Sequence, residues 1–156
     1  MTARVTLRPV AKTDFGVLYE HQRDPEATRM AAFPARDWAA FEAHWMTILS
    51  DPTVVARAIV EDGRVAGNVV MWGPPDERLV GYWIGREHWG RGIASAGLSL
   101  LLDEFPGRPL VAHVAKANVG SIRVLEKCGF KVSGENRVAV PAGAEVVEEW
   151  IMRLDR

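Results

Sequence analysis

The sequence predicts an α+β domain built around one mixed, mostly antiparallel sheet, and three observations carry that prediction. The strand-like run Leu79 to Ile84 leads through a glycine turn at Gly90 and Gly92 into a helix-like run, Ile93 to Phe105, and then into the apolar strand Leu110 to Val114. That succession is one βαβ crossover. Hairpin signals flank it on both sides, which places all the strands in one sheet. The chain has 156 residues, 48% of them apolar, which suits one domain spanning 1–156 with one sizeable core.

Each element has a local reason. Val5 to Val10 alternates loosely and reads as the first strand. Thr13 and Asp14 are cap residues for a helix running to about His21 or Gln22. Arg23 to Pro34 reads as irregular, with Asp24-Pro25 and Phe33-Pro34 as breakers. Asp37 caps the next helix, whose apolar face is Trp38, Phe41, Trp45, Ile48 and Leu49, and Asp51-Pro52 ends it. Val55 to Glu61 and Val65 to Trp72 are β-branched runs joined by Asp62-Gly63, a hairpin signal. Gly73-Pro74-Pro75-Asp76 is a loop. The helix after the glycine turn buries Ile93, Leu98, Leu101, Leu102 and Phe105 and stops at Pro106-Gly107. Asn118 caps a second short helix ending at Gly129, with Ile122, Leu125 and Cys128 inward. Phe130 to Val140 and Glu145 to Leu154 make a closing pair around Pro141-Ala142-Gly143-Ala144.

Composition narrows the partners. The 19 basic and 20 acidic side chains leave a formal charge of −1, so neither nucleic acid nor an anionic membrane is an expected partner. Cys128 is the single cysteine, which excludes an internal disulfide and a cysteine-based zinc site. No ligand cluster points to a metal. The N-terminal segment lacks the apolar stretch of a signal peptide, so the expected location is cytoplasmic.

Two motifs carry chemistry. A strand, glycine turn and helix aim free backbone N–H groups at an anion, and the helix dipole favours negative charge there. An ordinary strand-to-helix connection would use the same glycines for tight packing. Ile93 and Ala94 stand where a Walker-type loop needs a lysine and a hydroxyl, which argues against nucleotide triphosphate chemistry. The turn also comes too late in the chain, and with the wrong spacing, for a dinucleotide fingerprint. The second motif runs from Asn118 to Phe130. An N-capped helix with a glycine C-cap explains Asn118 and Gly129 but not Ser121, whose side chain in the first turn can reach a ligand lying across the strand ends.

Taken together, these residues resemble the GCN5-related N-acetyltransferases (GNAT), and within them the RimJ/RimL-like branch. The resemblance rests on Leu7-Arg8-Pro9 with Asp14, on Gly81-Tyr82-Trp83-Ile84, on Trp89-Gly90-Arg91-Gly92-Ile93-Ala94, and on Asn118, Ser121 and Leu125-Glu126-Lys127-Cys128-Gly129-Phe130. It implies the GNAT fold and transfer of the acetyl group of acetyl-CoA, as cosubstrate, to a primary amine on a protein N-terminus or a small molecule. By the same resemblance, backbone N–H groups of the turn Gly90-Arg91-Gly92-Ile93-Ala94-Ser95 hold the pyrophosphate, and Arg91 adds charge nearby. Backbone of Trp83 and Ile84 pairs with the pantetheine arm in a gap opened between the central strand and Leu110 to Val114, and Asn118 hydrogen-bonds that arm. The family's tyrosine proton donor is replaced by Leu125, which leaves Ser121 as the catalytic candidate.

Departures from the branch bear on mechanism. Ser95 stands where a glutamate is common, and Leu79 where an acidic residue is common. Candidate bases are then Glu20, His21, His44 and His113, or a water chain. The acceptor lip is expected at Arg23 to Trp38, with apolar walls at Met30, Phe33 and Trp38 and carboxylates at Asp24, Glu26 and Asp37 for a cationic amine. A non-catalytic acyl-CoA-binding or sensor module on the same fold is the alternative. A nucleotide-binding regulator is disfavoured by the missing lysine. A homodimer built through the last strand pair and exposed tryptophans is compatible with the sequence.

Overall fold

A computed structural model describes residues 4–31, 35–139 and 146–156. Its strands are β1 (Val5–Pro9), β2 (Val55–Glu61), β3 (Arg64–Trp72), β4 (Arg78–Ile84), β5 (Leu110–Ala115), β6 (Lys131–Ala139) and β7 (Val146–Leu154). Its helices are α1 (Phe15–Arg23), α2 (Pro25–Ala31), α3 (Trp38–Ser50), α4 (Ile93–Glu104) and α5 (Val119–Lys127). All seven strands form one sheet in the order β1-β2-β3-β4-β5-β7-β6, antiparallel except for β4 with β5. The expected α+β architecture is therefore present.

Each face of the sheet carries a core. On one, Ile59, Val69, Val80 and Met152 pack against Ile93, Leu98, Leu101 and Leu125 from α4 and α5. Leu98 and Leu101 are fully buried, so truncating either to alanine costs about 2–5 kcal/mol. Gly97 lets α4 approach the sheet, since a Cβ there would stand 2.7 Å from the Ile59 side chain. On the other face, Phe15, Leu18, Phe41 and Trp45 from α1 and α3 close over Ala56 and Ala58.

Three local expectations are corrected. Arg23 to Pro34 is not wholly irregular: Pro25 opens α2, because a proline's fixed φ and missing N–H suit the first helical position. Phe33-Pro34 and the 140–145 connection lie outside the described residues. Asp14 stands at the N-cap of α1, but its side chain makes no capping bond to that helix. It closes a short 3-10 turn over Lys12–Asp14, taking the Ala11 N–H at 2.8 Å and both Arg8 guanidinium nitrogens at 2.8 Å. On α3, Phe41 and Trp45 are buried as expected, but Trp38 and Leu49 are exposed at its two ends. Among the described residues no helix is long and apolar enough to cross a membrane.

Candidate active site

β4 and β5 pair only at Arg78 with Leu110 and Leu79 with Val111, and no pair continues beyond them. Beyond that pairing, Tyr82, Trp83 and Ile84 of β4 line a cavity of about 450 Å³ that is also walled by the glycine turn, α2, the first turn of α4 and the length of α5. Of the residues singled out from the sequence, Trp83, Ile84, Gly90, Gly92, Ile93, Ala94, Ser95, Asn118 and Ser121 all line it.

Gly90 and Gly92 have φ of +77° and +73°, a region where a side chain is strained. A Cβ at either would meet nothing within 4 Å, so backbone conformation, not packing, calls for glycine there. Gly92 is the N-cap of α4 and offers no side-chain cap. The first intrahelical bond shown runs from the Ala96 N–H to the Gly92 carbonyl, which leaves the N–H groups of Ile93, Ala94 and Ser95 without an intrahelical acceptor, a geometry that suits an anion.

Arg91 does not point into the cavity. Its guanidinium folds back onto Glu61 Oε1 at 2.9 Å and the Glu87 carbonyl at 3.3 Å. Glu61 is buried at the end of β2 and also meets His88 Nδ1 at 2.7 Å. A buried carboxylate needs such partners, and here it draws the glycine turn and the 3-10 turn Arg86–His88 before it onto β2. The Arg91 side chain thus braces the loop from beneath.

The strand backbone divides by alternation. The Gly85 N–H donates to the Ala66 carbonyl, and the Trp83 carbonyl lies against Gly67, so the backbone of Trp83 faces β3. Tyr82 and Ile84 turn their N–H and C=O groups toward the gap. The Ile84 carbonyl already accepts the Trp89 indole N–H at 2.9 Å, which leaves the Ile84 N–H as a donor aimed at the opening. Trp83 contributes its side chain to the cavity wall, with its indole N–H held by the His21 carbonyl at 3.2 Å.

Asn118 caps α5 by accepting the Ser121 N–H at 3.2 Å, so its amide NH₂ is the group turned to other uses. Ser121 has a partner that the sequence did not reveal. The Tyr82 hydroxyl reaches from β4 to within 2.6 Å of Ser121 Oγ and also donates to the Ser121 carbonyl at 3.1 Å. Burial raises the Tyr82 pKa to about 12, so the phenol is protonated at neutral pH. Leu125 is fully buried in the core below, and so the hydroxyl comes from the sheet. Only the alternation that sends Tyr82 to the α5 side could have signalled this.

The candidate bases fare differently. His113 projects from β5 with Nδ1 3.5 Å from Glu149. Exposed Glu20 pairs with Arg23. His44 sits on α3, its pKa lowered by burial and by Arg36. His21 is buried behind Gly85, its ring nitrogens show no partner, and burial and then His88 lower its pKa. None of these four lines the cavity. His21, Glu87 and His88 offer atoms within 4.8 Å of one another, the group among the described residues that could hold a cation.

A sheet opened beside a helix N-terminus with free N–H groups suits an extended ligand that carries negative charge. Comparison with known proteins is specific about the class. Residues 4–131 match the family model described as Acetyltransferase (GNAT) domain. The chain is 27% identical over 167 aligned positions to an uncharacterized N-acetyltransferase of Bacillus licheniformis, covering 98% of this chain and 93% of that one. Its fold matches a GNAT-family acetyltransferase from Bacillus anthracis with a TM-score of 0.83 at 16% identity, over 99% of this chain and 96% of that one. A spermidine N-acetyltransferase from Vibrio cholerae, solved with CoA and spermine, also matches with a TM-score of 0.83, at 17% identity over 97% of this chain and 95% of that one. The chain belongs to the GNAT acetyltransferase family and has its fold.

Proposed function

We propose that this chain, read as one domain over 1–156 and as a member of the RimJ/RimL-like branch, transfers the acetyl group of acetyl-CoA directly to a primary amine. The observation that carries the reading is the meeting, in one cavity, of the open N-terminus of α4, the gap between β4 and β5, and the Ser121–Tyr82 pair. The relative solved with CoA supports acetyl-CoA as the donor. N–H groups of Ile93, Ala94 and Ser95 hold the pyrophosphate, the Asn118 amide holds the pantetheine arm, and the Ile84 N–H donates to the thioester oxygen as it gains charge.

The amine nitrogen attacks the thioester carbonyl carbon, and the C–S bond breaks with its electron pair going to sulfur. A serine hydroxyl is too weak an acid to supply the proton alone. Ser121 passes its proton to sulfur while the Tyr82 hydroxyl turns its one proton from the Ser121 carbonyl to Oγ and replaces it. The proton released by the amine returns to Tyr82 through solvent, so the cycle balances. The test is thermal unfolding with acetyl-CoA and with ATP, followed by CoA release across amines and N-terminal peptides. Acetyl-CoA is expected to raise Tm, and ATP is not. Binding without CoA release from any acceptor would identify a sensor module instead.

A further inference from the structure

The cavity has the apolar wall expected at Met30, but not the carboxylates expected beside it. Ala27, Met30 and Ala31 of α2 face Trp83, Ile84 and Trp89 across it. The carboxylates expected to greet a cationic amine are engaged elsewhere. Asp24 Oδ1 accepts the Glu26 N–H at 2.9 Å and lies 3.4 Å from the Arg86 guanidinium. Glu26 is paired with Arg29. Asp37 caps α3 through the Ala40 N–H at 2.8 Å. Among the described residues, the ionisable lining consists of Tyr82, His88, Arg123 and Lys127, and so brings no negative charge at neutral pH.

Resting on the acetyltransferase reading above, we infer that the acceptor is a weakly basic monoamine with an apolar body, bound as its free base. An ammonium entering these apolar walls loses its water with no carboxylate on the lining to replace it, which favours the neutral form. The neutral amine is also the nucleophile, so the proton departs to solvent before attack and the site requires no carboxylate base. Selection then follows basicity. At pH 7 an α-amino group is about one part in ten neutral, and a lysine-like alkylamine about one part in two thousand. A polyamine brings a further ammonium that the apolar wall leaves unpaired.

The experiment measures kcat/KM for phenylalanine amide, phenethylamine and spermidine between pH 6.5 and 9.5. At pH 7 phenylalanine amide is expected to exceed phenethylamine by about two hundredfold, the gap closing as pH rises, with spermidine lowest throughout. In Met30→Glu, at a half-buried position, kcat/KM for spermidine relative to phenylalanine amide is expected to rise by about tenfold. Spermidine as the best substrate, a ranking indifferent to basicity, or unchanged selectivity in Met30→Glu overturns this inference and leaves the acetyltransferase standing. A chain that binds acetyl-CoA yet acetylates none of the panel or the peptides refutes both.

Discussion

Replacing Ser121 with alanine separates a catalytic hydroxyl from a structural one. The Ser121 hydroxyl meets the Tyr82 hydroxyl at 2.6 Å. The Tyr82 hydroxyl keeps a second partner, the backbone carbonyl of residue 121 at 3.1 Å, which the substitution leaves in place. Folding should therefore lose only one ordinary hydrogen bond, about 0.5–1.5 kcal/mol. During reaction the same hydroxyl faces a departing thiolate, and a hydrogen bond to a charged group contributes about 1.5–3 kcal/mol. The expected loss in kcat is thus about tenfold to 150-fold, with KM for acetyl-CoA little changed because Ser121 contributes to the transition state. The assay is thiol-reagent detection of CoA release, with a thermal melt to confirm the fold. The relay adds a sharper readout. A proton inventory in mixed light and heavy water should be curved in the wild type, where two protons move, and linear in Tyr82→Phe. A Ser121→Ala enzyme with kcat within twofold of wild type would refute the assignment of Ser121 and the relay built on it.

Three further outcomes follow from the same geometry. Gly92→Glu should fold, because a Cβ there has open space and the strain at φ +73° costs about 1 kcal/mol, but its carboxylate should abolish acetyl-CoA binding in calorimetry. Glu61→Gln weakens the brace on His88 and Arg91, so KM for acetyl-CoA should rise about three- to tenfold with kcat nearly unchanged. The Arg8 guanidinium and the Ala11 N–H hold the Asp14 carboxyl below the ordinary carboxylate range. Its folded pKa is depressed, so its stabilisation is complete above the unfolded value of about 3.9 and is lost as pH falls through the folded value. Urea unfolding of Asp14→Asn should accordingly show a deficit of about 1–3 kcal/mol at pH 7 that shrinks below pH 4.

How much was legible beforehand varies by residue. The glycine turn and the Asn118 cap were readable because both are local: positive φ and a capping side chain leave signatures within four residues. The core faces of α4 and α5 followed from helical period. α2 was missed because Asp24-Pro25 reads equally as a break and as a helix start, and only its docking beside β5 and α1 distinguishes the two. Trp38 and Leu49 were misjudged because a one-face pattern does not say where the covering element stops.

At the site the division is between residue type and direction. The order of elements, the anion-binding turn and the family resemblance are all written along the chain, because each depends on neighbours a few positions apart. Which groups meet in the cavity was decided by tertiary structure alone. β4 and β5 part after two pairs, Tyr82 crosses 39 positions of sequence to reach Ser121, and Glu61 holds the Arg91 guanidinium across 30. Buried charges and hydroxyls take the nearest partner in space, and sequence distance places no limit on that choice.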